Sequence, residues 1–597
     1  MPYNHQHVKH LLTFRLAFQP ENDYICVLPF DWTITSKTQN KKMKKHSLWV
    51  VMFFFLQLFP AAAQTFIEAG EVNGNWTKHG SPYIINGTIT IPSGSDLVIE
   101  PGVMISFAGH YKFEILGKLI ATGNETDSII FTAADPKQGW HGLRFLNTVT
   151  AEQDTSRLQF CRIEFGRVSG DCPDNRGGAV YAELARLNIR NCLIRYNRAV
   201  SGAADWGGGA IYLEKTNAVI ADNLITMNYS GHDGGGVYCS FCNPKIIRNT
   251  ITSNQAAYQG GGIAVFSFSS PVIQNNIINK NTAADHGGGI NISGGNPLVQ
   301  HNYIEENQAG AGGGGISCYL SNARIINNQI VSNTAGSGGA LDFRGSSPSV
   351  FANTVCNNQA AGNGGGISNS FEMVGVPVYS NPVLTSNIIF YNTGGQGSQI
   401  WSASGCEPFV SYCAIENMNG EGISGGMNDS GANTEQSPLF ISLGDNPWAL
   451  SSNSPCVDAG PAELSGTFWP ACDLGGCVRV WDGNGDQLAV IDIGAWEFGS
   501  QPLGIEEANP VEKGVFSCIP CPNPAGESVC LLINTPQPGE IIIMITFTDG
   551  RVFLRTSACV SEEDHRQIIS LSRLPTGVYI YEVYYMGHRL SGRLVHL

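Results

Sequence analysis

The sequence predicts an all-β solenoid, a chain wound into stacked coils, for three reasons. Charged residues make up only 14% of the 597 residues and 71 residues are glycine, a composition that favours short strands joined by many turns. From about Gly207 to Ile367 one phrase repeats: an Asn-x-Ile-x-x-Asn core, a loop, a glycine run and an aliphatic residue. The phrase recurs every 25–27 residues, and self-similarity at such a period is typical of solenoids.

Each repeat has the length of one triangular coil, since about 26 residues accommodate three strands of four to six residues and three turns. Helical repeats are disfavoured, because glycine runs would destabilise each helix by about 1 kcal/mol per glycine and apolar residues lack the i, i+3, i+4 spacing. Leucine is too scarce for leucine-rich repeats. The aliphatic residue after the glycines recurs at Ala210, Val237, Ile263, Ile290, Ile316, Ala340 and Ile367.

Stacked coils place like residues above one another at about 4.8 Å. The leading asparagine of each core is therefore expected to form an amide ladder, in which each side chain donates to the next. The glycines permit a turn with positive φ and a close contact between coils. The predicted ladder residues are Asn223, Asn249, Asn276, Asn302, Asn328 and Asn353.

The N-terminal segment contains an export signal. Met43 opens a basic stretch, an apolar run of 12 residues follows at 48–59, and Ala61–Ala63 supplies an A-x-A site. We predict a signal peptide at 43–63, cleaved between Ala63 and Gln64, with residues 1–42 a mis-assigned extension. A membrane anchor is the alternative, but the apolar run is shorter than the roughly 20 residues that a span needs. The mature protein is thus expected to be secreted or at the cell surface, without a transmembrane span.

The remaining chain divides into five predicted parts. Alternating apolar residues between Pro and Gly turns at 64–154 predict short strands that cap the solenoid and form its first coils. Residues 155–400 contain the repeats, and the period breaks at 401–500, which we interpret as the C-terminal cap. A linker at 501–514 precedes residues 515–597, where short strands at about ten-residue spacing predict a β-sandwich.

The repeats resemble the right-handed parallel β-helix family, whose fold is shared with pectate lyases. Asn223–Gly236 and its copies carry this resemblance, and the phrases at 177–180, 208–211 and 338–341 are also similar to repeats of polymorphic outer-membrane proteins. The resemblance covers about 245 residues. It implies a right-handed parallel β-helix, but not an activity, because the family includes lyases, hydrolases, epimerases and adhesins.

Two further resemblances concern the C-terminal part. The segments 437–440, 454–460 and 491–498 look like the closing segment of bacterial secreted β-helix proteins that carry a sorting tail. Over about 80 residues, Pro522-Asn-Pro, Asp549-Gly-Arg and Leu574-Pro-Thr-Gly-Val-Tyr resemble the C-terminal sorting domain of the type IX secretion system in Bacteroidetes. That resemblance implies the type IX machinery as a partner, passage across the outer membrane, and release or attachment at the surface, with removal of the tail left open. The chain ends in Leu597, whereas the family often ends in Lys.

The charge and the cysteine content limit the classes of binding partner and the bonds that the cysteines can form. The net charge of −15 disfavours nucleic acid and suits calcium or neutral polymers, although plain solubility explains it as well. Removal of Cys26 with the leader leaves an even number of cysteines, which permits disulfides in an exported protein without assigning pairs. Cys239 and Cys242 have the spacing of a metal or redox motif, but no second pair lies nearby, so ordinary solenoid positions are the favoured interpretation.

The variable turn before each glycine run holds the candidate binding residues. Two positions before the glycines lie Asp205, His232, Tyr258 and Asp285, and one position before lie Trp206, Asp233, Gln259 and His286. Stacking would bring Asp205 and Asp233 together, whereas Asp285 would lie about 14 Å from Asp205. We predict a glycan-binding groove formed by Asp205, Trp206, His232, Asp233, Tyr258, Asp285 and His286. The alternative is ordinary polar turn chemistry.

A second candidate site is a calcium loop. Asp482, Asn484 and Asp486 offer oxygens at positions 1, 3 and 5 of such a loop. Position 6 is Gln487 rather than Gly, and position 12 is Ile493 rather than an acid, so a plain Asp/Gly turn is the alternative. Calcium is the one cofactor that this pattern suggests.

Three functions remain open: binding of glycan or a surface partner, cleavage of polysaccharide by a lyase or hydrolase, and a structural role in the envelope. A cleft with clustered Asp, Lys or Arg would favour an enzyme, and exposed aromatics without such a cluster would favour a binder. The repeats show no acid–base constellation by sequence, and no catalytic residue is assigned. Binding is therefore the preferred hypothesis.

Overall fold

The computed structural model describes residues 64–148, 155–200, 207–442, 446–462, 469–501, 517–521, 528–534, 539–547, 552–560, 565–571, 574, 577–585 and 588–596. Several predictions lie outside these residues: the extension at 1–42, the signal peptide at 43–63 with Ala63, the site residues Asp205 and Trp206, and the linker from residue 502 onward.

Residues 64–429 form a parallel β-helix, as the repeat predicted. Three sheets of 14 strands run along it, and each coil passes through sheet 1, sheet 2 and sheet 3 in turn. The strands of sheet 1 are Thr65–Ile67, Tyr83–Ile85, Met104–Phe107, Ile129–Ala133, Cys161–Glu164, Leu193–Arg195, Leu224–Thr226, Thr250–Thr252, Ile277–Asn279, Tyr303–Glu305, Gln329–Val331, Thr354–Cys356, Ile388–Phe390 and Ala414–Ile415.

The strands of sheet 2 are Gly70–Glu71, Ile89–Ile91, Phe113–Ile115, Leu143–Leu146, Val180–Glu183, Ile211–Glu214, Val237–Ser240, Ile263–Phe266, Ile290–Ser293, Ile316–Tyr319, Leu341–Arg344, Ile367–Ser370, Ile400–Ser402 and Ile423–Ser424. The strands of sheet 3 are Gly74–Trp76, Asp96–Ile99, Lys118–Thr122, Ser156–Gln159, Leu187–Arg190, Val219–Ala221, Lys245–Ile247, Val272–Gln274, Leu298–Gln300, Arg324–Ile326, Ser349–Phe351, Val383–Thr385, Phe409–Ser411 and Asn428–Asp429.

A short fourth sheet lies between sheets 1 and 2 in the middle coils. Its eight strands are Arg167–Val168, Arg198–Ala199, Tyr229–Ser230, Gln255–Ala256, Thr282–Ala283, Gln308–Ala309, Thr334–Ala335 and Gln359–Ala360. A 3-10 turn at Lys78–Gly80 and an antiparallel hairpin of Glu372–Val374 with Val376–Val378 complete the elements of the solenoid. The pre-glycine turns follow directly after this fourth sheet, which therefore positions the candidate site.

The interior is filled by stacked aliphatic side chains that are fully buried. In sheet 1, for example, Ile225, Ile251, Ile278, Ile304 and Ile330 occupy one register position on successive coils, and each is 0% exposed. Burying such a side chain contributes about 1.5–3 kcal/mol, and β-branched residues suit the extended backbone. The core therefore forms by repetition of one apolar column in each sheet.

Amide ladders run along two corners of the coil. In the first, Asn223 Nδ2 donates to Asn249 Oδ1 at 2.9 Å, and the pattern continues through the asparagines expected from sequence to Asn387. A second ladder, which the sequence analysis missed, uses the last asparagine of the same core: Asn197, Asn228, Asn254, Asn281, Asn307, Asn333, Asn358 and Asn392.

The ladders hold sharp bends. The residue before each ladder asparagine has a left-handed backbone, as at Asp222 (φ 60°) and Met227 (φ 55°). This conformation costs roughly 1–2 kcal/mol for a non-glycine residue. Hydrogen bonds from the ladder side chain to the adjacent coils offset that strain and satisfy backbone groups that the bend removes from the sheets.

The third corner contains a ladder of small hydroxyl and thiol groups, as in the bonds from Ser321 N to Ser346 Oγ and from Ser346 N to Ser380 Oγ. Cys242 lies in this ladder, because its backbone N–H donates to Ser269 Oγ at 3.1 Å. Cys239 lies in the buried core. Both therefore fill solenoid positions, and the cysteines whose side chains the structure describes are all free thiols.

The coils continue beyond residue 400, and residues 437–442, 446–462 and 469–501 fold back along the outside of sheet 1. We call this segment the fold-back. Leu450, Cys456 and Ile493 pack against Val331 and Phe390, which point outward from sheet 1. The segment interpreted as a cap at 401–500 thus comprises two further coils and a cover for one face. Outward apolar residues on these coils explain the cover, since a sheet face of this kind must be buried.

The C-terminal part contains two antiparallel sheets. One has the strands Ser517–Cys521, Ser528–Asn534 and His565–Ser570, and the other has Val552–Val560, Gly539–Phe547, Gly577–Tyr585 and His588–His596. Val529 and Leu531 of the first sheet share one apolar core with Ile543 and Val583 of the second. Two sheets facing a common core match the predicted sandwich. None of the described residues forms a helix long and apolar enough to cross a membrane.

Candidate functional site

The pre-glycine turns stack on successive coils, in the two columns that the sequence predicted. Tyr258 N donates to His232 O, and Asp285 N donates to Tyr258 O, both at 2.9 Å. His286 forms a parallel bridge with Gly312 on the next coil. His232, Asp233, Tyr258, Asp285 and His286 therefore lie along one edge of sheet 2.

Asp233 is buried in this row and accepts hydrogen bonds from its neighbours. It is only 1% exposed, accepts from Gln259 N at 2.9 Å, and lies 2.8 Å from His232 Nδ1. A carboxylate held by a backbone N–H and an imidazole has few free lone pairs for a ligand. Asp233 thus orients His232 and the turn, whereas the groove hypothesis treated it as a contact residue.

Gln259 connects the row to sheet 2. Its Nε2 donates to Asp285 Oδ2 at 3.2 Å, and its Oε1 accepts from Asn291 Nδ2 at 3.0 Å. Asn291 points outward from sheet 2 and is buried under the turn. The Asp285 carboxylate is consequently fixed in direction while it remains partly open to solvent.

Tyr258 is the aromatic side chain that this row presents to solvent. Its ring is 48% exposed and packs beside His232, with 5.2 Å between the ring centroids. The aromatic column of sheet 2 behaves differently: Tyr181, Tyr212 and Tyr238 stack at 4.7–5.6 Å and are buried. Burial raises the pKa of the Tyr238 hydroxyl. That column stabilises the sheet and is not a ligand platform.

An acid–base cluster lies next to the row, and the sequence analysis did not find it. His286 Nδ1 lies 3.6 Å from Asp342 Oδ2, two coils further on. Arg344 Nη1 lies 2.8 Å from His286 Nε2, and Arg344 Nη2 donates to Glu372 Oε2 at 2.9 Å. The sequence of the repeats showed no acid–base constellation, and the structure brings these four side chains together.

Gly312 makes this cluster possible. It occupies the position equivalent to His286 on the intervening coil, and a Cβ there would lie 2.6 Å from Asp342 Oδ2 and 2.9 Å from His286 Nδ1. Atoms do not approach so closely without displacement. The missing side chain thus opens the gap across which His286 reaches Asp342.

The hydrogen bonds define the protonation of His286. A guanidinium only donates, so His286 Nε2 must accept from Arg344, and the imidazole proton lies on Nδ1, facing Asp342. Asp342 is almost fully buried, and burial raises the pKa of its carboxyl, which His286, Ser368 and Arg344 partly oppose. The buried Asp342 carboxyl therefore lies beside the imidazole, at a distance of 3.6 Å that is longer than a hydrogen bond.

The sequence contained a signal for this cluster. Asn291 and Asp342 occupy one register column on the outward face of sheet 2, directly after Ile290 and Leu341, and Arg344 lies two residues further along the same strand. Most coils carry a small or aromatic residue in the first of these columns, so the charged Asp342 is an exception. Asp342 and Arg344 follow the glycines, whereas the binding residues predicted from the sequence precede them.

A basic patch lies at the N-terminal end of the same face. Arg167 and Arg198 pair in register on the fourth sheet and, with His110, line a cavity of ≈ 310 Å³. The Arg198 guanidinium lies over the Tyr229 ring, 4.1 Å from its centroid. The face therefore changes from basic at residues 167–198 to acidic at 285–372.

The predicted calcium loop is well ordered by its own backbone. Asp482 accepts from Gly485 N, Asp486 N and Gln487 N, and Asn484 Oδ1 accepts from Asp486 N at 2.8 Å. These bonds are those of an Asp/Gly turn. A group of three carboxylates lies beside the loop: Asp458, Asp492 and Glu497, with one oxygen of each within 4.8 Å of the others.

The matching family model agrees with the fold. Residues 147–309 match the model described as "Right handed beta helix region". The coils of this region form a right-handed β-helix. No curated protein matches the chain.

Two solved structures are similar at low identity. A mutant of the periplasmic alginate epimerase AlgG is 13% identical, with a TM-score of 0.27, over 61% of this chain and 85% of that chain. The A-module of mannuronan C-5 epimerase AlgE6 from Azotobacter vinelandii is 14% identical, with a TM-score of 0.27, over 63% of this chain and 89% of that chain. At these TM-scores neither structure supports an argument about activity.

Proposed function

We propose that this protein binds polysaccharide along the pre-glycine turns of its middle coils. The observation that carries the proposal is the half-exposed Tyr258 ring, which lies between His232 and the oriented Asp285 carboxylate. Sugars bind where an aromatic face meets polar groups of fixed direction, because the apolar side of the ring stacks and the hydroxyls donate to carboxylates. Three successive coils contribute His232, Tyr258 and Asp285 to one continuous strip, which suits an extended polymer.

The basic patch extends the proposed binding face and suggests acidic sugars at one end. Arg167 and Arg198 carry guanidinium groups that pair with carboxylates in a bidentate manner. Asp285 and Glu372 would favour neutral hydroxyls at the other end. A polymer with both charged and neutral stretches, or a polyuronate bound at the Arg end alone, fits this charge pattern.

Binding can be measured by affinity electrophoresis and calorimetry against a panel of neutral glucans, mannans and polyuronates. We expect Tyr258→Ala to weaken binding of the best ligand by about 10-fold, since aromatic stacking contributes roughly 0.5–1.5 kcal/mol beyond burial of its area. Phe268→Ala is the matched control, because Phe268 is 82% exposed but lies after a sheet 2 strand, at another corner of the coil. Equal affinities of the wild type and Tyr258→Ala would refute the proposal.

A polysaccharide-cleaving or -modifying enzyme is the second candidate, and the His286–Asp342–Arg344 cluster is the observation that favours it. The same panel is then assayed for new reducing ends and for unsaturated products. Under this hypothesis Asp342→Asn abolishes turnover and leaves binding within about 2-fold, because Asp342 is buried. Absence of products on every polymer that the wild type binds would leave binding as the function.

Export is part of the proposal. The basic, apolar and small-residue segments at 43–63 and the resemblance of 515–597 to type IX sorting domains support secretion or display at the surface. In a type IX-competent host, the mature chain is expected to begin at Gln64 by N-terminal sequencing. Deletion of 515–597 is expected to retain the protein in the periplasm. Unchanged export of the deletion variant would refute the sorting role.

A further inference from the structure

Two motifs that the proposed function does not use meet in the fold-back. Ser454–Gly460 contributes Asp458, and Ile491–Phe498 contributes Asp492 and Glu497. We call these three side chains the carboxylate cluster. We propose that the carboxylate cluster is a calcium-binding site that joins two separate segments of the fold-back.

The carboxylates are held in place by backbone donors. Asp492 Oδ1 accepts from Asp458 N at 2.7 Å and Asp492 Oδ2 accepts from Phe498 N at 2.6 Å. Glu497 Oε2 accepts from Asp492 N at 3.1 Å. Side chains that are fixed in this way lose little conformational entropy when they bind a cation. The free-energy cost of ordering the site is therefore small.

One oxygen of the cluster is buried without a partner. Glu497 is 7% exposed, and no donor among the described residues reaches its Oε1. An unpaired buried carboxylate oxygen is unfavourable, because desolvation is not compensated by a hydrogen bond. A cation bound at Oε1 would satisfy it, which is the independent indication of a ligand at this position.

The charge of the cluster fits a divalent ion. Arg479 is fully buried and is the cation that the described residues bring to the cluster; its Nη1 lies 3.4 Å from Glu497 Oε2. Its Nη2 donates to the carbonyl oxygens of Asp492 and Gly494. One guanidinium faces three carboxyl groups, so the cluster contains more acidic groups than this cation can pair with. Arg479 contacts the Oε2 side of Glu497, so Oε1 remains available.

Calcium is the cation that this donor set selects. All three side chains offer oxygen, which hard cations prefer, whereas zinc is bound mainly by sulfur and nitrogen. Calcium accepts six to eight oxygens in flexible geometry, and magnesium requires a near-ideal octahedron with several waters. The three carboxylates come from two separate segments, and one of them is partly open to solvent. This arrangement suits the flexible coordination of calcium better than the octahedral coordination of magnesium.

The loop at 482–486 supports this site from outside. Asn484 N donates to Asp458 Oδ2 at 2.7 Å, and Gly483 N donates to Asp458 Oδ1 at 3.3 Å. The oxygens of Asp482 and Asn484 are engaged by the backbone of their own loop. The loop thus orients Asp458. The calcium predicted from the sequence pattern is assigned to Asp458, Asp492 and Glu497, because the buried Glu497 Oε1 lacks a donor among the described residues.

The experiment uses the mature chain from Gln64 to the C-terminus, freed of metal with EDTA. Calcium is titrated by calorimetry, and Tb³⁺ luminescence is followed by excitation of tryptophan, since Trp496 directly precedes Glu497. We expect one site per chain, a rise in Tm with calcium, and slower proteolysis within 446–501. Glu497→Gln is expected to lower calcium affinity by at least 10-fold, with Asp482→Asn as the matched loop control.

The outcomes separate the hypotheses. If calorimetry of the wild type shows no heat of binding at millimolar calcium, and millimolar Tb³⁺ gives no sensitised emission, the proposal is overturned. This measurement does not depend on the folding of any variant. Loss of binding in Asp482→Asn with binding retained in Glu497→Gln would assign the ion to the loop and overturn the cluster. An equal rise in Tm with magnesium would overturn the choice of calcium.

Discussion

At the scale of single residues, Gly312 controls whether His286 and Asp342 can meet. In Gly312→Ala the new methyl would lie 2.6 Å from Asp342 Oδ2, so the carboxyl or the imidazole must move. We expect a loss of about 1–3 kcal/mol in the free energy of unfolding, measured by urea denaturation, as for other overpacked sites. Gly420→Ala is the control, since a Cβ there meets only Asn417 O at 3.7 Å. Equal stabilities of the two variants would contradict this account.

The ladder asparagines make a second prediction at this scale. Asn276 Nδ2 donates to Asn302 Oδ1 and Ile246 O, and its Oδ1 accepts from Asn249. Asn276→Ala leaves several buried groups unpaired and should lower stability by about 2–4 kcal/mol. The matched change Gln255→Ala, at an exposed position on the fourth sheet, should alter stability by less than about 0.5 kcal/mol. Thermal unfolding of the two variants side by side provides the measurement.

These residues also mark the limit of inference from the sequence. The first ladder is predictable because Asn223 and its copies recur at one spacing, and identical residues in stacked coils must face each other. The second ladder was equally visible in Asn228 and its copies but was not considered. The sequence marks Asp342 as a charged exception in its column. Its contact with His286 was not predictable, because the contact crosses an intervening coil through the gap at Gly312 and depends on side-chain direction.

At the scale of elements, the fold-back should respond to acid through His301. His301 donates from Nε2 to Cys472 O at 3.1 Å, and burial lowers its pKa to about 4, to which Arg479 adds. Because the pKa of His301 in the folded protein lies below the ordinary histidine value of about 6.5, the stabilisation is complete above pH 6.5 and is lost as the pH falls towards 4. The full difference corresponds to about 3 kcal/mol.

Hydrogen exchange of residues 471–497 between pH 7 and 4.5 tests this prediction, after correction for intrinsic exchange rates. The variant His301→Gln retains an amide donor near Cys472 O but does not titrate. Burial raises the pKa of Asp492 to about 7 and that of Glu497 to about 9, and these groups titrate in both proteins. Their contribution cancels in the comparison. Identical pH dependence of the two proteins would exclude His301 as the cause.

The fold-back also shows what sequence patterns miss between elements. The sequence repeat ends near residue 400, which suggested that a cap begins there. The coils nevertheless continue to the strand Asn428–Asp429. Val331, Cys356 and Phe390 point outward from sheet 1 at positions where earlier coils carry Thr, Asn or Glu. Such apolar outward residues indicate a covered face, but they do not identify the segment that covers it, because no local pattern links residues more than 100 positions apart.

At the scale of the whole molecule, the chain contains separate apolar cores. The core of the solenoid extends from Val72 to Ile415, and the core of the C-terminal sheets is built from residues between Val529 and Leu594. No residue belongs to both of these described clusters. In solenoids each coil is stabilised by its neighbours alone, so the stability of the coils should not depend on the C-terminal sheets.

Calorimetry of the mature chain is therefore expected to show two transitions, and deletion of residues 515–597 should remove only one. The Tm of the remaining transition should change by less than about 2 °C, because the solenoid keeps its core, ladders and fold-back. A matched deletion of residues 64–154 should instead lower that Tm and promote aggregation, since it exposes the edge strands at Ser156–Gln159 and Cys161–Glu164. A single transition in the full chain that shifts on removal of 515–597 would show that the two cores unfold together.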